Sequence, residues 1–133
     1  MPKPKQHQEK ADHNRAFLDA FAGTGPPDWM ATVAFYTAVE LVEQLLASHD
    51  HHSKSHFDRK QAIKRHYPNR QFNQAYNDLY NASLDGRYLA LDQVVTVEEV
   101  RSVLIAKRLK MIEEYVAAHT QRLENRESYL LAE

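Results

Sequence analysis

The sequence predicts an all-α fold, an antiparallel bundle of four to five helices, and three observations predict it. Only 3 glycines and 5 prolines occur in 133 residues, too few for a sheet fold with many tight turns. Apolar residues recur at helical spacing along most of the chain. Between those runs lie start and stop signals of the kind that bound helices. A composition of 43% hydrophobic and 26% charged residues supplies enough apolar surface for one domain with its own core.

Residues 1–10, MPKPKQHQEK, are polar and read as a disordered tail. The bundle is expected over 11–124, with 125–133 a frayed tail. A first helix spans Ala11–Ala22, with Phe17 and Phe21 one turn apart on one face. The glycines and prolines of residues 23–27 end it. Asp28 sits where an N-cap belongs and opens a second helix to about Ser48. Its apolar residues cover most of the circumference, as in a central helix contacted on several sides. Ser55 with Asp58 resembles a cap for a third helix to about His66, stopped by Pro68. A fourth helix, about Gln71–Leu84, carries Phe72, Tyr76, Leu79 and Ser83 on one stripe, and Asp85-Gly86 signals a turn at its end. Residues Tyr88–Val95 fit an extended connector or a short helix. Thr96 with Glu99 forms a capping box for a fifth helix, whose buried stripe is expected at Val97, Val100, Leu104, Met111 and Tyr115.

Several function classes are excluded or disfavoured. With no cysteine, disulfides, thiolate metal sites and cysteine nucleophiles are absent. No HExxH, GxSxG or glycine-rich phosphate loop occurs. His49, His51, His52 and His56 crowd one turn, but their spacing matches no standard zinc pattern. No metal and no cofactor is expected. The apolar run from Trp29 to Ala47 contains Glu40, Glu43 and Gln44, whose placement in lipid is costly. It reads as a core helix rather than a membrane span, and the protein as cytoplasmic.

The polar residues that stand out flank the histidine-rich turn. Glu40 lies on the apolar helix, and a buried carboxylate needs a partner. Arg59, His56 and Arg87 are the expected partners. Residues 54–70 hold six Lys or Arg against Asp58, net +5, and residues 101–110 hold four and no acid, net +4. Such faces suit phosphate as well as solvent. Arg59 and His66 are two helical turns apart, about 10 Å along the axis, and offer an anion-stabilising group and a proton carrier. Tyr76, Tyr80, Ser83 and Arg87 form a polar stripe, either a buried network or a ligand-facing wall.

The segments PDWMATVAFYTAVELVEQLL, SHFDR and YNDLYNASLDGRY resemble, in that order, the HEPN superfamily of small helical bundles, and more closely an uncharacterised bacterial branch of it. The resemblance runs from about Asp12 to Tyr115. It implies an antiparallel bundle found as a homodimer, and a function tied to RNA or nucleotides, in toxin–antitoxin or stress and defence systems, with a nucleotidyltransferase as a partner protein. Its nuclease motif is an arginine followed after four to six residues by a histidine, near the start of the last long helix. Here Arg101 is followed at those positions by Ala106, Lys107 and Arg108, and the pair with matching spacing is Arg59 and His66. The expectation is therefore a non-catalytic module binding RNA or nucleotide through Glu40, His56, Arg59, Ser83, Arg87 and Tyr88. The alternatives are a metal-independent ribonuclease using Arg59 with His56 or His66, and a structural interaction subunit.

Overall fold

The computed structural model describes residues 1–21, 23–89 and 95–132. Among them are five helices and no strand: α1 Pro4–Phe21, α2 Pro27–Ala47, α3 His56–His66, α4 Arg70–Tyr88, and α5. The last runs without a break through Val97–Glu99, Val100–Leu109 and Lys110–Ala132. The all-α bundle expected from sequence is the observed fold.

The centre is α2, which packs against each of the other four helices. Its buried residues run from Met30 to Leu46 and leave little of its surface to solvent. It is long and apolar enough to cross a membrane, yet 72% of its most apolar window is buried inside the bundle, which is how a core helix is placed. The helix starts at Pro27, with Pro26 rather than Asp28 at the cap, because proline at the first helical position gives up no hydrogen bond.

Around it, α1 begins at Pro4, so residues 4–10 are helical rather than the expected disordered tail. His7 and Lys10 reach Glu40 at 2.7 and 3.7 Å, and Arg15 reaches Glu113 at 3.3 Å, tying this helix to α2 and α5. Leu18 and Ala11 face the core, whereas Phe17 and Phe21 pack as a tilted pair, ring centroids 4.9 Å apart, on the exposed side.

The starts of α3 and α5 follow the expected chemistry, and α4 is capped in the same way. Ser55 accepts from the Asp58 N–H at 3.0 Å and opens α3. Asn69 accepts from the Phe72 N–H at 2.9 Å and opens α4. The Thr96–Glu99 box opens α5. On α4, Phe72, Tyr76, Leu79 and Ser83 are all buried, as the stripe predicts.

Two helix ends and one buried stripe differ from expectation. The fourth helix does not stop at Leu84 but continues through Gly86 to Tyr88. The glycine is there for packing: a Cβ at Gly86 would stand 2.8 Å from the Asp28 carbonyl oxygen, so only glycine lets α4 cross the start of α2 this closely. Leu89 caps the helix, and the rest of the connector, 90–94, lies outside the described residues. The fifth helix continues past residue 124 to Ala132, with residues 124–131 exposed. Its buried stripe also departs from the expected one. Val100 and Leu104 are buried, but Leu109, Ile112 and Val116 follow, not Met111 and Tyr115. Val100–Leu109 is π-helical, and the Lys110 N–H closes back on the Ile105 carbonyl. A five-residue step takes more residues per turn than an α-helix, which advances the inward face by about one position.

Substituting Gly86→Ala is expected to lower stability by roughly 1–3 kcal/mol, although alanine is the better helix former. Urea unfolding measures it; a gain in stability would contradict the close crossing.

Candidate functional site

Two helix ends and the middle of a third create a cleft of ≈ 290 Å³. Its α2 wall is Phe35, Tyr36 and Val39. The first turn of α3 brings His56 and Arg59. The last turns of α4 bring Tyr80, Leu84, Arg87 and Tyr88. Extension of α4 through Gly86 is what delivers Arg87 and Tyr88 here.

A chain of polar groups lies under the cleft floor. Glu43, buried on α2, accepts from Arg59 Nε at 2.7 Å. Arg59 Nη1 donates to the Tyr76 hydroxyl at 3.4 Å. That hydroxyl meets His56 Nδ1 at 3.0 Å. The imidazole lies flat on Tyr80, ring centroids 3.6 Å apart, and turns its edge to Phe35. The second Glu43 oxygen takes the Ser53 N–H at 3.4 Å, joining the 48–55 loop to the same carboxylate.

The electrostatics follow from burial and from these neighbours. Burial, then Arg59, Lys60 and Arg87, hold His56 below its ordinary value of 6.5, so the ring is neutral at pH 7. Burial disfavours the Arg59 charge, but the Tyr76 hydroxyl and Glu43 outweigh it and raise its pKa. Burial also raises the Tyr76 phenol, partly offset by Arg59.

Arg87 differs from Arg59. Its hydrogen bonds go to neutral oxygens: the Ser83 carbonyl at 3.2 Å, Ser83 Oγ at 3.3 Å and the Tyr36 hydroxyl at 3.3 Å. The guanidinium lies 5.9 Å from the Tyr36 ring centre and 5.5 Å from that of Tyr88. It is exposed, and no carboxylate among the described residues pairs with it.

The structure therefore brings together His56, Arg59, Ser83, Arg87 and Tyr88, and leaves out two expected residues. Glu40 is on the side of α2 that faces α1, bound to His7 and Lys10 beside a depression of ≈ 490 Å³ lined by the chain's first residues. It does not orient His56; the Tyr76 hydroxyl does. Nor is His66 at the cleft. At the far end of α3 it stacks on His49 at 4.4 Å, while His49 bonds the Tyr67 hydroxyl at 2.8 Å. The residue sequence reasoning missed is Glu43. Helical phase distinguishes the two carboxylates: Glu43 follows the buried Phe35 and Val39 by whole turns, whereas Glu40 follows Trp29, Val33 and Tyr36, none of them fully buried. Among the described residues, no group of three or more His, Asp or Glu side chains is arranged to hold a metal.

Comparison with family models, curated proteins and solved structures finds no match for this chain.

Two outcomes follow. Glu43→Ala strands the Arg59 charge in a half-buried site, and is expected to cost about 3 kcal/mol in denaturant unfolding; an unchanged midpoint would remove the pair from its structural role. His56 has a folded pKa below its unfolded value, so the unfolded state takes up the proton first. Its contribution is full above about pH 6.5 and is lost as pH falls through the window below. Replacing His56 by Asn is therefore expected to flatten the fall in stability over that window, read from urea midpoints at successive pH values.

Proposed function

We propose that the protein is a HEPN-like, non-catalytic, cytoplasmic module whose cleft grips the phosphate of RNA or a nucleotide. The observation that carries this reading is Arg87, an exposed guanidinium with no carboxylate partner among the described residues, lining a cleft with aromatic walls. Guanidinium groups bind phosphate oxygens through paired N–H donors, and exposed aromatic rings stack on bases whatever their sequence. Tyr88, 75% exposed, is available to do so.

Charge favours the RNA backbone over a polyphosphate. Glu43 neutralises Arg59 and His56 is uncharged at pH 7, so the cleft lining contributes one uncompensated cation, matched to one phosphodiester. The order of the resembling segments supports the HEPN-like assignment, and homodimerisation and a nucleotidyltransferase partner belong to the same reading.

Against the ribonuclease alternative stand the engagement of Arg59 with Glu43 and the distance of His66 from the cleft, on its stack with His49.

The test uses a labelled single-stranded RNA and ATP, followed by fluorescence anisotropy. RNA binding is expected to exceed ATP binding, and Arg87→Ala to weaken it roughly tenfold or more, from the loss of charge-assisted hydrogen bonds, with no change in unfolding midpoint. Equal RNA affinity in Arg87→Ala would reject the site. Cleavage of total RNA in EDTA, lost in Arg59→Ala and in a histidine variant, would replace this reading with the ribonuclease one.

A further inference from the structure

We infer that Tyr76 is a positioning residue that fixes the proton of His56 on Nε2, so that the cleft meets its ligand with a neutral N–H donor rather than with a base or a second cation. For its consequence at the ligand, the inference rests on the phosphate-binding reading; the tautomer itself does not.

The argument is a count of donors and acceptors from the buried end outward. Glu43 is acceptor only, and Arg59 is donor only. Arg59 Nη1 therefore gives its hydrogen to the Tyr76 oxygen. The Tyr76 side chain is 1% exposed, so its own hydroxyl hydrogen needs a protein acceptor. The acceptor within reach is His56 Nδ1 at 3.0 Å. If Nδ1 carried the proton instead, the Tyr76 oxygen would face two donors and its hydrogen would have no acceptor. Polarity thus runs one way, from Arg59 through Tyr76 to His56, and leaves the imidazole hydrogen on Nε2. No partner for Nε2 is found among the described residues, and the ring lines the cleft.

The same wiring resists a second proton. An imidazolium would have to donate from Nδ1 to a hydroxyl already donating to it. The charged groups around the ring push the same way: Arg59 and Lys60 from α3 and Arg87 from α4, with the Glu43 carboxylate of α2 spent on Arg59. Two chemical consequences follow. Nε2 already holds a proton, so it has no lone pair with which to deprotonate an attacking hydroxyl. A ligand oxygen beside Arg87 can accept from both Arg87 and His56, which suits a phosphodiester.

The experiment is ¹⁵N NMR of the histidines in the free protein over a pH series, for the native chain and for Tyr76→Phe. The native His56 is expected as the Nε2–H tautomer, titrating below the ordinary histidine value of 6.5. In Tyr76→Phe the Nδ1 acceptor is freed, so the tautomers are expected to mix and the midpoint to rise, while burial and the neighbouring cations still hold it down. A native Nδ1–H tautomer would overturn the inference, as would an unshifted midpoint in a folded Tyr76→Phe. Should that variant fail to fold, the native tautomer alone decides. A second arm measures single-stranded RNA affinity at pH 8 and pH 6. A larger gain in affinity from pH 8 to pH 6 in Tyr76→Phe than in the native protein is expected, and an equal gain in both would count against the inference. If RNA does not bind at all, the phosphate-binding reading falls while the tautomer result stands on its own.

Discussion

The ion pair between Glu43 and Arg59 is the constraint on which the cleft depends. Within its bounds α3 buries only Ala62 and Ile63, too little apolar surface to fix a helix by packing alone. Its first turn is held instead by a charge pair whose side chains are 9% and 15% exposed. Buried ions of this kind contribute little net energy but are costly to separate, so they specify one arrangement. Fixing Arg59 fixes the direction from which His56, one turn earlier, enters the cleft. The Ser53 N–H on the same carboxylate sets the loop that leads into the helix.

A second constraint acts at the other wall. Gly86 lets α4 pass within a carbonyl's reach of α2 and still remain helical. The next two residues, Arg87 and Tyr88, then lie opposite Tyr36. The site is thus assembled from the beginning of one helix and the end of another, both held against the middle of α2. Helix ends suit this role because their side chains are not committed to the core, whereas the adjoining turns are. Ser83 illustrates the transition: buried, it donates to the Tyr80 carbonyl at 2.8 Å and accepts from Arg87, joining core and cleft.

Periodicity and capping made most of the fold legible in the sequence. The Ser55 cap, the Thr96 box and the α4 stripe each rest on local chemistry, and local chemistry is what a sequence states most directly. Two of the three departures originate in tertiary contact. Gly86 reads as a turn because propensity has no term for a neighbouring backbone. The stripe on α5 drifts because ten π-helical residues alter the turn count. Residues 4–10 are helical in company with the His7–Glu40 pair, a contact across thirty-three positions. At the site, residue types were legible and phase was not fully used. His56, Arg59, Ser83, Arg87 and Tyr88 converge, but the carboxylate is Glu43, bound to Arg59, rather than Glu40, which faces α1.

The exchange of one carboxylate for the other alters the chemistry more than the geometry. Had Glu40 contacted His56 directly, the pair would resemble a carboxylate-oriented imidazole, whose distal nitrogen is left free to accept a proton. With Glu43 two steps removed, an arginine and a phenol intervene, and each reverses what the carboxylate would have done. Arg59 absorbs its charge, so no anion stabilises an imidazolium. Tyr76 then supplies a donor where a carboxylate would supply an acceptor, so the distal nitrogen is the one that keeps its hydrogen. The same three side-chain types, acid, arginine and histidine, therefore build a donor surface here rather than a base, and the order in which they are joined is what decides it.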